Sequence, residues 1–190
     1  MGALAAIVIA GGEARRFGSD KLALRDEQGR GLLELTVAGV AEVADPVIVV
    51  GSERDLGCEV TWTREDPPGG GPCAALIAGV ACLPDEVTHV AALAGDAPAG
   101  GSAVTALRQV IDDAAAAVVT DASGREQPMT AIYAVTPLRA ALAAYGDGRD
   151  MSIRQVLDDL RPLTVVSIVD RWSASVDIDR PEDAQRLGFS

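Results

Sequence analysis

Residues 9–21 read Ile9-Ala10-Gly11-Gly12-Glu13-Ala14-Arg15-Arg16-Phe17-Gly18-Ser19-Asp20-Lys21, adjacent glycines followed by two arginines and a lysine. The glycines come straight after an apolar run at residues 4–9, so backbone N–H groups there can approach an anion closely while the cations downstream neutralise phosphate charge. This is the chemistry of a triphosphate-binding loop. Ile9, Ala10, Gly11 and Gly12 form the expected backbone cradle, with Arg16 on the β- and γ-phosphates and Lys21 near the α-phosphate. The spacing excludes two familiar loops. A Walker loop needs four residues between its first glycine and Gly-Lys-Ser/Thr, and a dinucleotide fingerprint needs Gly-x-Gly-x-x-Gly. Here Gly18 comes six residues after Gly12, and Lys21 three residues later.

The pattern Gly-Gly-x-x-x-Arg-Phe-Gly-x-Asp-Lys resembles the signature of nucleotidyltransferases that activate small phosphorylated molecules with an NTP, most closely the MobA-like molybdenum cofactor guanylyltransferases. The resemblance aligns Arg16 and Lys21 with the family's motif arginine and lysine. It implies a Mg²⁺-dependent enzyme that joins GMP from GTP to the terminal phosphate of a molybdopterin-type acceptor and releases pyrophosphate. Transient contact with molybdenum-cofactor proteins would follow from such a product. A cytidylyltransferase for the same cofactor, a nucleotidyltransferase for another small phosphate, and a catalytically silent nucleotide-binding or cofactor-binding protein remain as alternatives.

Three further stretches match the family in order. Asp96, in Gly95-Asp96-Ala97-Pro98, corresponds to an Asp-x-Pro motif after a buried strand and is the expected Mg²⁺ ligand. Magnesium takes one or two protein carboxylates alongside phosphate and water oxygens. Asp177-Ile178-Asp179-Arg180-Pro181-Glu182-Asp183 matches the C-terminal metal segment, with Asp177 where asparagine is usual. Either Asp177 or Asp179 would ligate, and the other would cap the helix starting at Pro181. Asp66 and Gly71, before Pro72, fall in the family's base and ribose loop, where a carboxylate can accept guanine N–H groups or a ribose hydroxyl. Gln127-Pro128, Arg149 and Arg154 resemble the family's acceptor-phosphate residues.

The elements that must position these residues alternate. Apolar runs at residues 4–9, 47–50, 60–63, 89–94, 116–120, 127–135 and 163–169 read as strands. Helical spacing is expected over residues 31–43, 72–83, 102–113 with Ser102 as N-cap, 137–145, 152–160 with Ser152 as N-cap, and 181–187. Residues 121–124 read as a turn, opening a hairpin-like excursion over 121–135 that returns to the sheet. The rhythm predicts an α/β fold: a doubly wound, mostly parallel, Rossmann-like sheet with helices on both faces, in a single domain over residues 1–190. Ligands then bind beyond the carboxyl ends of the strands, where Gly11, Gly12 and Asp96 fall.

Composition limits the partners. A formal charge of −12 repels polyanions, so neither a nucleic-acid nor an anionic-membrane partner is expected, and Arg15, Arg16 and Lys21 are conspicuous as a local basic cluster. Aromatics make up only 3% of a chain that is 48% hydrophobic, so the core is expected to be aliphatic. Cys58, Cys73 and Cys82 lack disulfide or zinc spacing and read as free thiols. With no leader-like opening and no run of ~20 apolar residues, a cytoplasmic location is expected. His89, Trp62 and Trp172 read as packing residues.

Overall fold

Alternating residues of the strand Ala3–Ile9 (β1) enter two different apolar layers, which is how a strand buried on both faces builds a three-layer protein. The structure is a computed structural model, and it describes residues 2–11, 21–161, 163–174, 181–186 and 188–189. The remaining strands are Val47–Val50 (β2), Thr61–Thr63 (β3), Val87–Ala94 (β4), Ala116–Thr120 (β5), Glu126–Ala134 (β6) and Val165–Val169 (β7). The helices are Leu32–Ala41 (α1), Pro72–Ala81 (α2), Gly100–Arg108 (α3), Val135–Leu142 (α4), Ile153–Leu160 (α5) and Pro181–Arg186 (α6).

The strands form one seven-stranded sheet in the order β3-β2-β1-β4-β6-β5-β7. All neighbours are parallel except around β6, which runs antiparallel to both β4 and β5. The expected mostly parallel α/β sheet is therefore present. On one face Ile7, Ile48 and Val90 pack with Leu76 of α2, Leu138 of α4 and Val156 of α5. On the other, Val8, Val49 and Leu93 pack with Leu33 and Val37 of α1 and Val104 of α3. Each such aliphatic side chain contributes about 1.5–3 kcal/mol when fully buried.

Three local readings differ from the structure. Helix α3 begins at Gly100 rather than Ser102, and Ala99 stands at its N-cap with no side-chain bond. The cause is tertiary: Gly100 abuts Leu93 and Gly101 abuts the backbone of Gly39, so the glycines serve helix packing instead of breaking a helix. Helix α4 begins at Val135, two residues before Pro137, as the first helical turn tolerates proline. It ends at Leu142 and tightens into a 3-10 turn over Ala143–Tyr145 before Gly146, whose φ is +59°. The cap at Ser152 is as expected, with Gln155 completing a capping box. His89 is half-buried and opens the β4–β6 pairing, at the end of β4 remote from Asp96. Burial pushes its imidazole below the usual range.

Candidate active site

The carboxyl edge of the sheet is stitched together beyond the strands themselves. Ala10 N–H donates to Val50 O at 2.8 Å, Gly51 N–H to Thr63 O at 2.9 Å, and Gly95 N–H to Ile9 O at 2.9 Å. A side chain on Gly95 would stand 3.2 Å from Ile9 O and 3.3 Å from the Ala10 α-carbon, a tight fit that glycine relieves where the turn after β4 lies against the end of β1. The hydroxyl of Thr36, buried on α1, lies 3.1 Å from Gly95 O and ties that turn to the helix layer.

Asp96 follows directly and is 8% exposed. A carboxylate this deeply placed requires a partner. Lys21 provides one: its Nζ sits 2.5 Å from Asp96 Oδ2, across 75 residues of chain. Lys21 opens a 3-10 turn, Lys21–Ala23, whose Leu22 packs against the α1–α3 apolar layer. The turn anchors the lysine at the strand edge. Gly12, Arg15, Arg16, Asp177 and Asp179 lie outside the described residues. The described flanks of Asp177 and Asp179 are anchored: Ala174 O is 3.5 Å from Thr130 Oγ1, and Ala184 packs with Phe189 on Leu32.

The loop between β3 and α2 forms the other wall. Gly71, at φ +91°, is the N-cap of α2, and Pro72 takes its first position. Asp66 is exposed at the rim. Its neighbour Glu65 accepts a hydrogen bond from Gly69 N–H at 3.0 Å through Oε1. The second oxygen, Oε2, is shielded from solvent and has no hydrogen-bond partner among the described residues. Both oxygens lie 3.8–3.9 Å from where a side chain on Gly11 would begin.

A glycine-ended first strand, a lysine on a strand-end aspartate and a glycine-rich loop thus meet at the carboxyl edge of the sheet. Residues 6–163 match the MobA-like NTP transferase domain. The chain belongs to that family. It is similar to a probable molybdenum cofactor guanylyltransferase of Opitutus terrae, 34% identical over 193 residues that cover 97% of this chain and 94% of the relative. A probable molybdenum cofactor guanylyltransferase of Chloroflexus aggregans is 34% identical over 153 residues, 74% of this chain and 72% of that one. Among solved structures, a nucleotidyl transferase from Methanothermobacter thermautotroptrophicus superposes with a TM-score of 0.80 at 22% identity, covering 98% of this chain and 96% of the other.

In this MobA-like chain the four acceptor candidates divide into two groups. Gln127 Nε2 donates to Asp121 Oδ2 at 2.9 Å, and the Arg154 guanidinium donates to Glu126 O at 2.5 Å, so Gln127, Pro128 and Arg154 gather around the start of β6. Hydrogen bonds from the Ser123 hydroxyl and the Arg125 N–H hold Asp121 below the usual carboxylate range, against the opposing effect of burial. Arg149 goes elsewhere. Its guanidinium donates to Pro67 O at 3.2 Å, Asp150 N–H donates to Gly70 O at 3.0 Å, and a side chain on Gly148 would come within 2.9 Å of Ala74 N. Residues 148–150 thus brace the Asp66 loop and the start of α2.

Sequence reasoning missed Thr36 and Glu65. A threonine inside a helical pattern and a glutamate in a polar loop carry no local sign of their burial. Among the described residues no cluster of three or more His, Cys, Asp or Glu could hold a metal ion. Nor, among them, is any helix long and apolar enough to cross a membrane.

Proposed function

We propose that this protein is a guanylyltransferase that transfers GMP from GTP to the terminal phosphate of a molybdopterin-type acceptor and releases pyrophosphate, working as one domain in the cytoplasm. The contact between Lys21 and Asp96 at the carboxyl edge carries the reading, because it joins the cation of the first loop to the acid of the Asp-x-Pro turn. The names of the relatives from Opitutus terrae and Chloroflexus aggregans support guanine and molybdenum cofactor as the substrate classes.

In the transfer, an acceptor phosphate oxygen forms a bond to the α-phosphorus of GTP while the bond from that phosphorus to the bridging oxygen breaks, and the electron pair leaves with pyrophosphate. Little covalent chemistry is asked of the protein; alignment and charge neutralisation supply the rate. Gly11 and Gly12 cradle the triphosphate with backbone N–H groups, Ile9 and Ala10, whose strand-end backbone is tied to Val50, hold that cradle in place, Lys21 faces the α-phosphate, and Arg16 stabilises the departing pyrophosphate. Asp66 and Gly71 hold the base and ribose. Gln127, Pro128 and Arg154 hold the acceptor phosphate.

Magnesium fits the residues present. Asp96 offers a hard carboxyl oxygen at the strand edge, and with Asp177 or Asp179 it meets the one or two carboxylates the ion takes. Bound there, Mg²⁺ would neutralise charge on the phosphates. The thiols of Cys58 and Cys82 are free and exposed, in keeping with a reducing cytosol, and product release would bring transient contact with molybdenum-cofactor proteins.

The test is pyrophosphate release from GTP, CTP and ATP, with and without molybdopterin and Mg²⁺. GTP with both additions should turn over fastest. Lys21→Met and Asp96→Asn should each lower kcat by roughly 10²- to 10³-fold while the fold survives. Wild-type rates in either folded variant would remove those roles, and a preference for CTP would replace the guanylyl reading with a cytidylyl one.

A further inference from the structure

Glu65 is the residue of the cleft that no motif singles out. Its carboxyl is held in one orientation, because Oε1 accepts the Gly69 N–H at 3.0 Å and the γ-carbon lies against Gly70. In that orientation both oxygens lie beside the end of β1, 3.8–3.9 Å from the position a Gly11 side chain would take. Oε2 is out of solvent and, among the described residues, without a donor. Folded proteins rarely leave such an oxygen unpaired, since its lost hydration is not replaced, and an exception calls for an explanation at a binding or catalytic site. On this side the carboxyl faces Gly11, a residue with no side chain to cover it. A donor brought by a ligand over the end of β1 would complete the carboxyl's hydrogen bonding.

We infer that Glu65 reads the nucleoside of the bound triphosphate, with Oε2 accepting a hydrogen bond from a ribose hydroxyl or a base N–H. This rests on the nucleotidyltransferase reading above and adds to it a contact separate from that of Asp66, whose side chain stands exposed at the rim. A carboxyl pre-aimed by a backbone donor needs no reordering when the ligand arrives, so its contribution should appear in affinity.

The variant to make is Glu65→Gln, which keeps the shape and an oxygen for Gly69 N–H but turns an amide donor toward the ligand. Calorimetry with Mg²⁺ should compare GTP, 2′-deoxy-GTP, 3′-deoxy-GTP, inosine triphosphate and tripolyphosphate on both proteins. The Kd for GTP should rise about 10- to 100-fold in the variant, while tripolyphosphate stays within about twofold. The analogue that lacks the contacted donor should bind the wild type as weakly as GTP binds the variant. A loss reproduced by a deoxy sugar assigns the ribose, one reproduced by inosine triphosphate assigns the 2-amino group, and one matched by neither assigns guanine N1–H.

Unchanged GTP affinity in Glu65→Gln overturns the inference and leaves the enzyme reading standing. Equal weakening of tripolyphosphate also overturns it, since Glu65 would then be propping the phosphate loop. A wild-type protein that binds none of the nucleotides fails the enzyme reading itself.

Discussion

Replacing Gly101 with alanine should loosen the layer that carries Asp96. Gly101 lies in the first turn of α3, five residues past Asp96, and a side chain there would sit 2.1 Å from Gly39 O and 2.4 Å from the Gly39 carbonyl carbon on α1. An ordinary contact of this kind is well above 3 Å, so α1 and α3 must part by about an ångström where they cross. Overpacking of this severity costs about 1–3 kcal/mol or somewhat more, because the obstacle is backbone and cannot rotate away. Against it stands the gain of up to ~1 kcal/mol for alanine over glycine in a helix. With the rigid obstacle placing the cost near the upper end, about 3 kcal/mol, the net loss is about 2 kcal/mol. For a chain of 190 residues the unfolding entropy is about 0.4 kcal/mol/K, which converts that loss into a fall in Tm of roughly 5 °C. Gly39→Ala is the matched control. Its added carbon would meet Pro98 O at 3.7 Å and Gly101 N at 3.9 Å, both ordinary contacts, so the same crossing should accept it and Tm should hold or rise by a degree or two. Differential scanning calorimetry on the three proteins reads the difference. Gly101→Ala as stable as wild type, or Gly39→Ala equally damaged, would refute the idea that the two backbones touch there.

Two other outcomes follow from the same geometry. Arg149→Ala removes the guanidinium bond to Pro67 O, worth about 1 kcal/mol, so the KM for GTP should rise about fivefold with the acceptor KM unmoved, whereas Arg154→Ala should move the acceptor KM instead. A rise in acceptor KM for Arg149→Ala would return that arginine to the acceptor site. Tyr145 donates to Asp159 Oδ2 at 2.5 Å, and this bond pushes the phenol from its usual 10 up to about 12. Because the folded value is the higher one, the stabilisation is complete below about pH 10 and disappears as pH climbs toward about 12. Urea denaturation should therefore show the gap between wild type and Tyr145→Phe narrowing from pH ~8 to pH ~11, and a widening gap would contradict the assigned bond.

What the residues disclosed in advance was whatever local pattern decides. Val47–Val50 and Ala116–Thr120 are short apolar runs between polar or turn-forming neighbours, and a buried parallel strand is the one economical way to bury them. Asp96 stood out because an apolar run, a glycine and a proline frame it. The contact of Asp96 with Lys21 was less accessible: each had a role assigned, but 75 residues separate them, and only the stacking of β4 beside β1 brings the turn and the loop together. Gly100-Gly101 looked like a helix boundary, since the reason for glycine lies on Leu93 and Gly39 rather than in the neighbouring sequence. Glu65 presents the extreme form of the same limit. Nothing in Arg64-Glu65-Asp66-Pro67 distinguishes a solvated carboxyl from one turned inward against Gly11.

The reversal of β6 decides which of its residues reach the carboxyl edge of the sheet, and the proposed transfer depends on that placement. Because β6 runs against its neighbours, its first residues stand beside their last: Thr130 opposes Leu93 of β4, and Glu126 opposes Thr120 of β5. Gln127 and Pro128 are thereby placed on the edge that holds Lys21, Asp96 and Gly11. Had the nine residues of Glu126–Ala134 run parallel to β4, the same side chains would lie at the amino edge, roughly 26 Å away along the strand. Group transfer between two phosphates requires the reacting atoms to be within about 3–3.5 Å before bond formation, a demand that residues on opposite edges of a sheet could not jointly serve. The hairpin at residues 121–125 is therefore what brings Gln127 and Pro128 to this edge. Asp121 accepts the Ser123 and Arg125 N–H groups and the Gln127 amide together, so one aspartate both closes the turn that reverses the chain and orients Gln127 beyond it.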